Sequence, residues 1–175
     1  VKPENYLENI INEFRSLKKQ AEKAITQVSD KDFFSLLDEE SNSIAILMKH
    51  LAGNMRSRWT DFLTSDGEKP NRNRDSEFIV AGVDSRDSIF ATWLAGWQCL
   101  FQALAALQPE DLGKTVVIRA KPTPVYGAIH RQLTHYASHI GQIVLLAKHY
   151  AGSGWQTLSV PKGKSQEYNS RLKGK

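Results

Sequence analysis

Residues 130–150 read HRQLTHYASHIGQIVLLAKHY and hold four of the chain's five histidines. His135 and His139 stand four residues apart in a run whose apolar spacing is that of a buried helix. At 3.6 residues per turn the pair lies one turn apart on one side of that helix. Their row continues through Ala128, Gln132, Ile143 and Leu146, so both rings face inward or line a cleft. His50 belongs to a second helical stretch, in a row with Ile46, Leu47 and Asn54, and it also leans inward. A neutral imidazole offers one lone pair to a cation, and the proton on its other nitrogen needs an acceptor. A helix pair at i and i+4 supplies two such nitrogens, and a facing helix can supply a third. Three neutral ligands leave a divalent ion its full charge and an open position, the pattern of a catalytic rather than a closed structural site. The competing reading is a set of hydrogen-bonded core histidines, and spacing alone leaves both standing. His130 and His149 fall off the row of the pair and are expected at the surface or rim.

Several absences narrow the chemistry. The pair reads HYASH, so Tyr136 occupies the place where a zincin carries its general-base glutamate. The Glu-x-x-His motifs of di-iron bundles are missing, as is a phosphate-cradling glycine loop. The single cysteine, Cys99, excludes an intrachain disulfide. It reads as a buried thiol and fits a reducing cytosol.

Four long segments have the helical period needed to position these residues. The first runs from about Glu4 to Val28, with Tyr6, Ile10, Phe14, Leu17, Ala21 and Ile25 on one face; DKDFFSLL follows as a short cap on one end. The second is expected to start at an Asn42 N-cap and to continue through Trp59 to Phe62. A loop rich in Gly, Pro, Asn and charge, TSDGEKPNRNRDSEFIVAGVD, is long enough for a lid or a crossover. The third helix begins near Asp84 or Ser85 and ends near Leu107. Thr115–Arg119 has β character, and Thr123-Pro124 offers an N-cap and first position for the fourth helix, which Gly152 would end in a left-handed cap. Trp59, Trp93 and Trp97 read as core. The expected fold is therefore all-α: a four-helix bundle with a long crossover loop and a short β-like segment before the last helix. Residues 1–155 would form one domain and 156–175 a basic C-terminal arm without helical period.

The formal charge is +4, and the last fifteen residues account for it. Lys162, Lys164, Arg171, Lys173 and Lys175 stand there against Glu167, while the other 160 residues hold 18 basic and 18 acidic side chains. A nucleic-acid binder usually carries its basicity on the folded body, so nucleic acid is not an expected partner. No apolar run reaches the length of a bilayer span, and VKPENYLENIINEF lacks a signal peptide's apolar region. A cytoplasmic protein without membrane contact is expected.

Two of these stretches, HLAGNMRSRW at 50–59 and HYASHIGQI at 135–143, resemble the DinB-like, or YfiT-like, superfamily of bacterial metal-binding four-helix bundles. The ending WQTLSVPKGKSQEYN, 155–169, is similar to an uncharacterised Bacillus-type subfamily, and the resemblance covers the full length. It implies a divalent metal ion, zinc or nickel, held by His50, His135 and His139. It also implies a transferase joining a small-molecule thiol of the bacillithiol kind to an electrophile, because the superfamily includes such thiol transferases and a mycothiol-dependent maleylpyruvate isomerase. Many members are dimers, so a homodimer is implied as well. The reacting group would be a metal-bound water or thiolate, its pKa lowered by the ion. Asn54 and Gln142 are candidates to orient the substrate or the ligands, with hydrogen bonding inside the bundle as the other reading. Arg131 and Tyr126 could reach an anionic substrate or form a solvated face. The PKGKS segment could fold over the cleft or remain solvated. A non-catalytic metal-binding stress-response bundle and a metal-dependent hydrolase stand as alternatives.

Overall fold

The computed structural model describes residues 3–173 and is mostly helical, with one small antiparallel sheet. Helix α1 spans Pro3–Ile25 and buries Leu7, Ile10, Phe14, Ala21 and Ile25 along one face. It stops at Ile25 rather than Val28, and the chain turns into the short α2, Asp30–Phe34. Ser29 caps α2 by accepting from the Asp32 amide, and Phe33 is driven into the core. Helix α3 spans Ile44–Trp59. Its N-cap is Ser43, one residue later than expected, because the Ser43 hydroxyl accepts from the Ile46 amide. Its end is also earlier than expected. Thr60 leaves the helix in an extended conformation and Asp61 takes a φ of 47°, which reverses the chain before Phe62.

Helix α4, Arg86–Ala106, starts in a capping box between Ser85 and Ser88. By length and composition it is apolar enough to cross a bilayer, with a mean hydropathy of 1.3 over its best window, which corrects the expectation that no such run exists. In this fold its Ile89, Trp93, Trp97, Leu100 and Leu104 side is spent on the core against α3. Gly96 makes that contact close, since a Cβ there would sit 3.1 Å from the Ala52 Cα.

The expected single β segment is a hairpin, so the fold is not strictly all-α. Strand β1, Thr115–Ile118, pairs antiparallel with β2, Lys121–Pro124, with Val116 opposite Thr123. Arg119 and Ala120 form its turn with φ of 54° and 59°, a conformation that usually selects Asn or Gly. The Asp66 carboxylate offsets the cost by accepting from both turn amides, at 2.9 and 2.8 Å. Helix α5 then runs Val125–Ala151 with Pro124, not Thr123, as N-cap. Gly152 ends it with φ 52° and ψ −126°, a positive-φ residue outside the left-handed helical well. The arm beyond is not without helical period: Ser165–Lys173 forms α6, an exposed helix braced by ion pairs from Lys164 and Arg171 to Glu167. Lys175 lies outside the described residues.

The four long helices share one core. Helix α3 packs chiefly on α4, and α1 on α5. Phe14, Trp59, Trp97 and Tyr136 meet at its centre, with Phe14–Trp59 and Trp97–Tyr136 centroids 6.0 and 6.1 Å apart. The long loop after α3 does not hang free. The Gly67 amide donates to Val117 of β1 at 2.8 Å, and Ser57 and the buried Arg58 donate to the Gly67 carbonyl. Glu68 ties the same corner together by pairing with Arg58 at 2.9 Å and Arg119 at 2.8 Å.

Partial burial opposes ionisation of Glu68, but the hydrogen bonds from Arg119 and Arg58 outweigh it and bring its pKa down to about 2. A carboxylate with a depressed folded pKa stabilises above its ordinary value of 4.5 and loses that contribution as pH falls toward 2. Glu68→Gln is therefore expected to lower the thermal midpoint at neutral pH. The gap to the unaltered protein should shrink between pH 4.5 and 2, as read by thermal denaturation across that range.

Candidate metal centre

Helices α3 and α5 face each other where His50 meets His135 and His139. The three rings each offer a nitrogen, and these nitrogens lie within 4.8 Å of one another. The centroid separations are 5.3 Å for His50–His135, 5.1 Å for His50–His139 and 4.7 Å for His135–His139. His50 is 4% exposed, and the two α5 histidines are half-buried. His130 and His149 are exposed and take no part.

The outer nitrogens decide which inner ones are available. The Nδ1 of His50 lies 2.9 Å from Glu77 Oε2. Arg72 grips the same carboxylate with two bonds, Nε to Oε1 at 2.8 Å and Nη2 to Oε2 at 2.9 Å. Burial alone would raise the Glu77 pKa, but the bonds from His50 and Arg72 prevail and hold it below the usual value. An ionised carboxylate only accepts, so His50 carries a proton on Nδ1 and turns Nε2 toward His135. In the same way His139 Nδ1 donates to Gln142 Oε1 at 3.2 Å, which leaves its Nε2 for the centre. His135 Nε2 comes within 3.3 Å of His50 Nε2, while its buried Nδ1 has no partner among the described residues.

Burial, followed by the neighbouring His139 and His50, pushes the His135 pKa down to about 3, and burial also lowers that of His139. Both rings are therefore neutral and nucleophilic at physiological pH. Two neutral Nε2 lone pairs 3.3 Å apart repel unless a proton or a cation lies between them. That spacing is also the edge expected between two ligands of one ion with bonds of about 2.0–2.1 Å. The donor set thus fits a divalent cation: three imidazoles, two of them steered by a carboxylate or an amide.

Gly53 explains how Glu77 reaches the helix. A Cβ at that position would stand 2.2 Å from Glu77 Oε1, so only glycine one turn after His50 admits the carboxylate. Glu77 and Arg72 were absent from the residues expected at the site. They lie in the aperiodic loop, in and just before the 3-10 turn Asp75–Phe78. The one signal for them was an isolated glycine inside a helical pattern beside a histidine. Phe78 of the same turn packs on the His50 ring with centroids 4.9 Å apart.

The other expected residues separate. Gln142 orients His139. Asn54 accepts from the Tyr136 hydroxyl at 3.0 Å, and Tyr136 accepts from Trp59 Nε1 at 3.0 Å. Tyr136 is thus turned into the core, away from the position a zincin glutamate would serve. Asn54 also borders a cavity that opens on His50 and His135, as does Arg131. Tyr126 is exposed and outside that cavity. Among the described residues, the C-terminal arm contributes no wall to it. Cys99 is half-buried, 3.5 Å from the Thr60 hydroxyl, and remote from the histidines.

A family model described as "Protein of unknown function (DUF1572)" matches residues 2–164, and the chain belongs to that family. No curated protein matches the chain.

Gly53→Ala is expected to expel the Glu77 carboxylate from α3 and release the His50 tautomer while α3 itself remains helical. Imidazole 15N resonances of labelled protein check this. The His50 pattern should change from a pure Nδ1–H form to a tautomeric mixture, and those of His130 and His149 should not move.

Proposed function

We propose that this member of the DUF1572 family is a divalent-metal-dependent enzyme of DinB-like four-helix-bundle architecture, joining a low-molecular-weight thiol to an electrophile. The observation that carries the reading is the convergence of His50, His135 and His139, with Glu77 and Gln142 holding the outer nitrogens of two of them. The full-length resemblance to DinB-like proteins favours zinc or nickel as the ion, a thiol as one reactant and a homodimer as the assembly. The lone cysteine Cys99 is consistent with a reducing cytoplasm.

A divalent ion at this position supplies Lewis acidity, which favours the thiolate form of a thiol at neutral pH. The chain's own groups do the rest. His50, His135 and His139 would hold the ion; Glu77 keeps the His50 proton on Nδ1; Gln142 keeps the His139 proton on Nδ1. Arg72 fixes Glu77 and neutralises it, so the carboxylate stays an orienting group and is not a free general base. The cluster brings three His, Cys, Asp or Glu ligands together among the described residues, and a cavity adjoins two of them. Three protein ligands beside a cavity would leave an ion room for a substrate, which supports catalysis over a purely structural role.

Elemental analysis of purified protein is expected to find one divalent ion per chain, lost in His50→Ala, His135→Ala and His139→Ala. Glu77→Gln should retain the ligands but weaken the ion's affinity roughly 10–100-fold, as measured by competition with a chelator. A panel of low-molecular-weight thiols with a chromogenic electrophile should show turnover that chelation abolishes. Metal uptake without turnover of any thiol, together with ester hydrolysis, would replace the transferase by a hydrolase. Protein that takes up no ion would remove the reading altogether.

A further inference from the structure

The cavity beside the histidines has a volume of about 210 Å³, and five of the nine residues that line it are arginines. Arg58, Arg72, Arg74, Arg119 and Arg131 all border it. The acids of that corner are already committed. Glu68 is shared by Arg58, Arg119 and, at 3.5 Å, Arg72. Glu77 is held by Arg72 and His50. Asp66 accepts from the backbone amides of Glu68, Arg119 and Ala120. Five guanidinium groups thus face three carboxylates. Among the described residues, Arg74 and Arg131 stand outside these ion pairs; Arg74 lies 4.8 Å over the Phe78 ring.

A second, independent observation concerns a residue that lines the same space. Gln132 is 4% exposed and borders the cavity, yet its buried Oε1 has no hydrogen-bond partner among the described residues. A buried amide oxygen without a donor is costly, and a ligand's N–H or O–H would relieve it.

We propose that this cavity is an anion subsite that binds the carboxylate or phosphoryl group of a small organic acid. Arg74 and Arg131 receive the charge, Gln132 Oε1 accepts from a neighbouring donor on the same molecule, and the remainder of the ligand lies against His50 and His135. Guanidinium suits this work because its planar N–H fork matches carboxylate and phosphate oxygens. As an account of substrate class this rests on the histidine cluster being the reaction centre, but the anion contact itself needs no metal. The electrophile or the thiol of the proposed transfer therefore carries an acid group close to its reactive atom.

The test is calorimetric titration of the full chain, stripped of divalent ions by chelation and dialysis. The probes are butyrate, propylphosphonate and the neutral butyramide. At least one anion is expected to bind, with butyramide weaker by about tenfold or more. Affinity should fall as salt rises. Arg74→Ala and Arg131→Ala should each weaken the anion by about tenfold with no change in thermal midpoint, and Arg131→Lys by less. The bound anion should shift the ring resonances of His50 and His135 and leave His149 unmoved. The stronger of the two anions tells carboxylate from phosphoryl. Butyramide binding as tightly as butyrate, no anion binding at all, or anion binding indifferent to both arginine substitutions would overturn the proposal. Metal uptake that persists alongside such a failure leaves the metal reading intact. Arginine-dependent anion binding in a protein that takes up no metal removes that reading and leaves the subsite.

Discussion

Imidazoles withdrawn from water between two helices must be neutral, and a neutral imidazole must place its proton somewhere. That constraint organises this molecule. The helical interior settles the charge by burial, which holds His135 and His139 below their ordinary pKa. Local partners then settle the proton. Glu77 fixes it on His50 Nδ1, and Gln142 fixes it on His139 Nδ1. Lone pairs are left directed inward, where nothing in the protein accepts or donates to all of them. Donors arranged this way suit a cation, because the single contact between His50 Nε2 and His135 Nε2 at 3.3 Å leaves His139 Nε2 outside it.

The carboxylate that orients His50 brings a cost of its own, because a buried charge must be paired. Arg72 pairs it through two hydrogen bonds, and Glu68 touches Arg72 in turn. Glu68 extends the chain to Arg58 on α3 and Arg119 in the hairpin turn. The left-handed turn at Arg119 and Ala120 is held by Asp66 from the same loop. An unbroken series of charged contacts thus runs from the hairpin, through the loop, to the Nδ1 of a candidate ligand. The hairpin is small, but it anchors the loop that carries Glu77.

Much of this was legible in the chain because helices write themselves with a period. The row through His135 and His139, the inward lean of His50 and the start of α4 at Ser85 all follow from spacing or capping chemistry. The expected boundaries slipped where local side chains overrode the pattern. Ser43 rather than Asn42 bonds the Ile46 amide in the first turn of α3, and Asp61 at positive φ ends the apolar stripe before Phe62. The loop from Asp61 to Ser85 has no period to read. Glu77 therefore stayed hidden, although Gly53 beside His50 marked a place where something must come close. The hairpin turn escaped for a related reason: its left-handed residues are Arg and Ala, and their stabiliser, Asp66, lies more than fifty positions earlier. Helix α6 depends on short-range ion pairs around Glu167, and an apolar period does not reveal those.

The same loop that orients the histidines also charges the space beside them. Arg72 and Arg58 are needed in the buried corner to neutralise Glu77 and Glu68, and both present guanidinium edges to the cavity while doing so. Glu77 and Glu68 are not among the residues that line it. The cavity is therefore lined by positive charge as a consequence of how the site is braced, and Arg74 and Arg131, outside the ion pairs among the described residues, add to it. A divalent ion would raise the potential further, and a space of that sign selects anions over neutral molecules. Orientation of the ligands and attraction of an acid group are two results of one arrangement of charge.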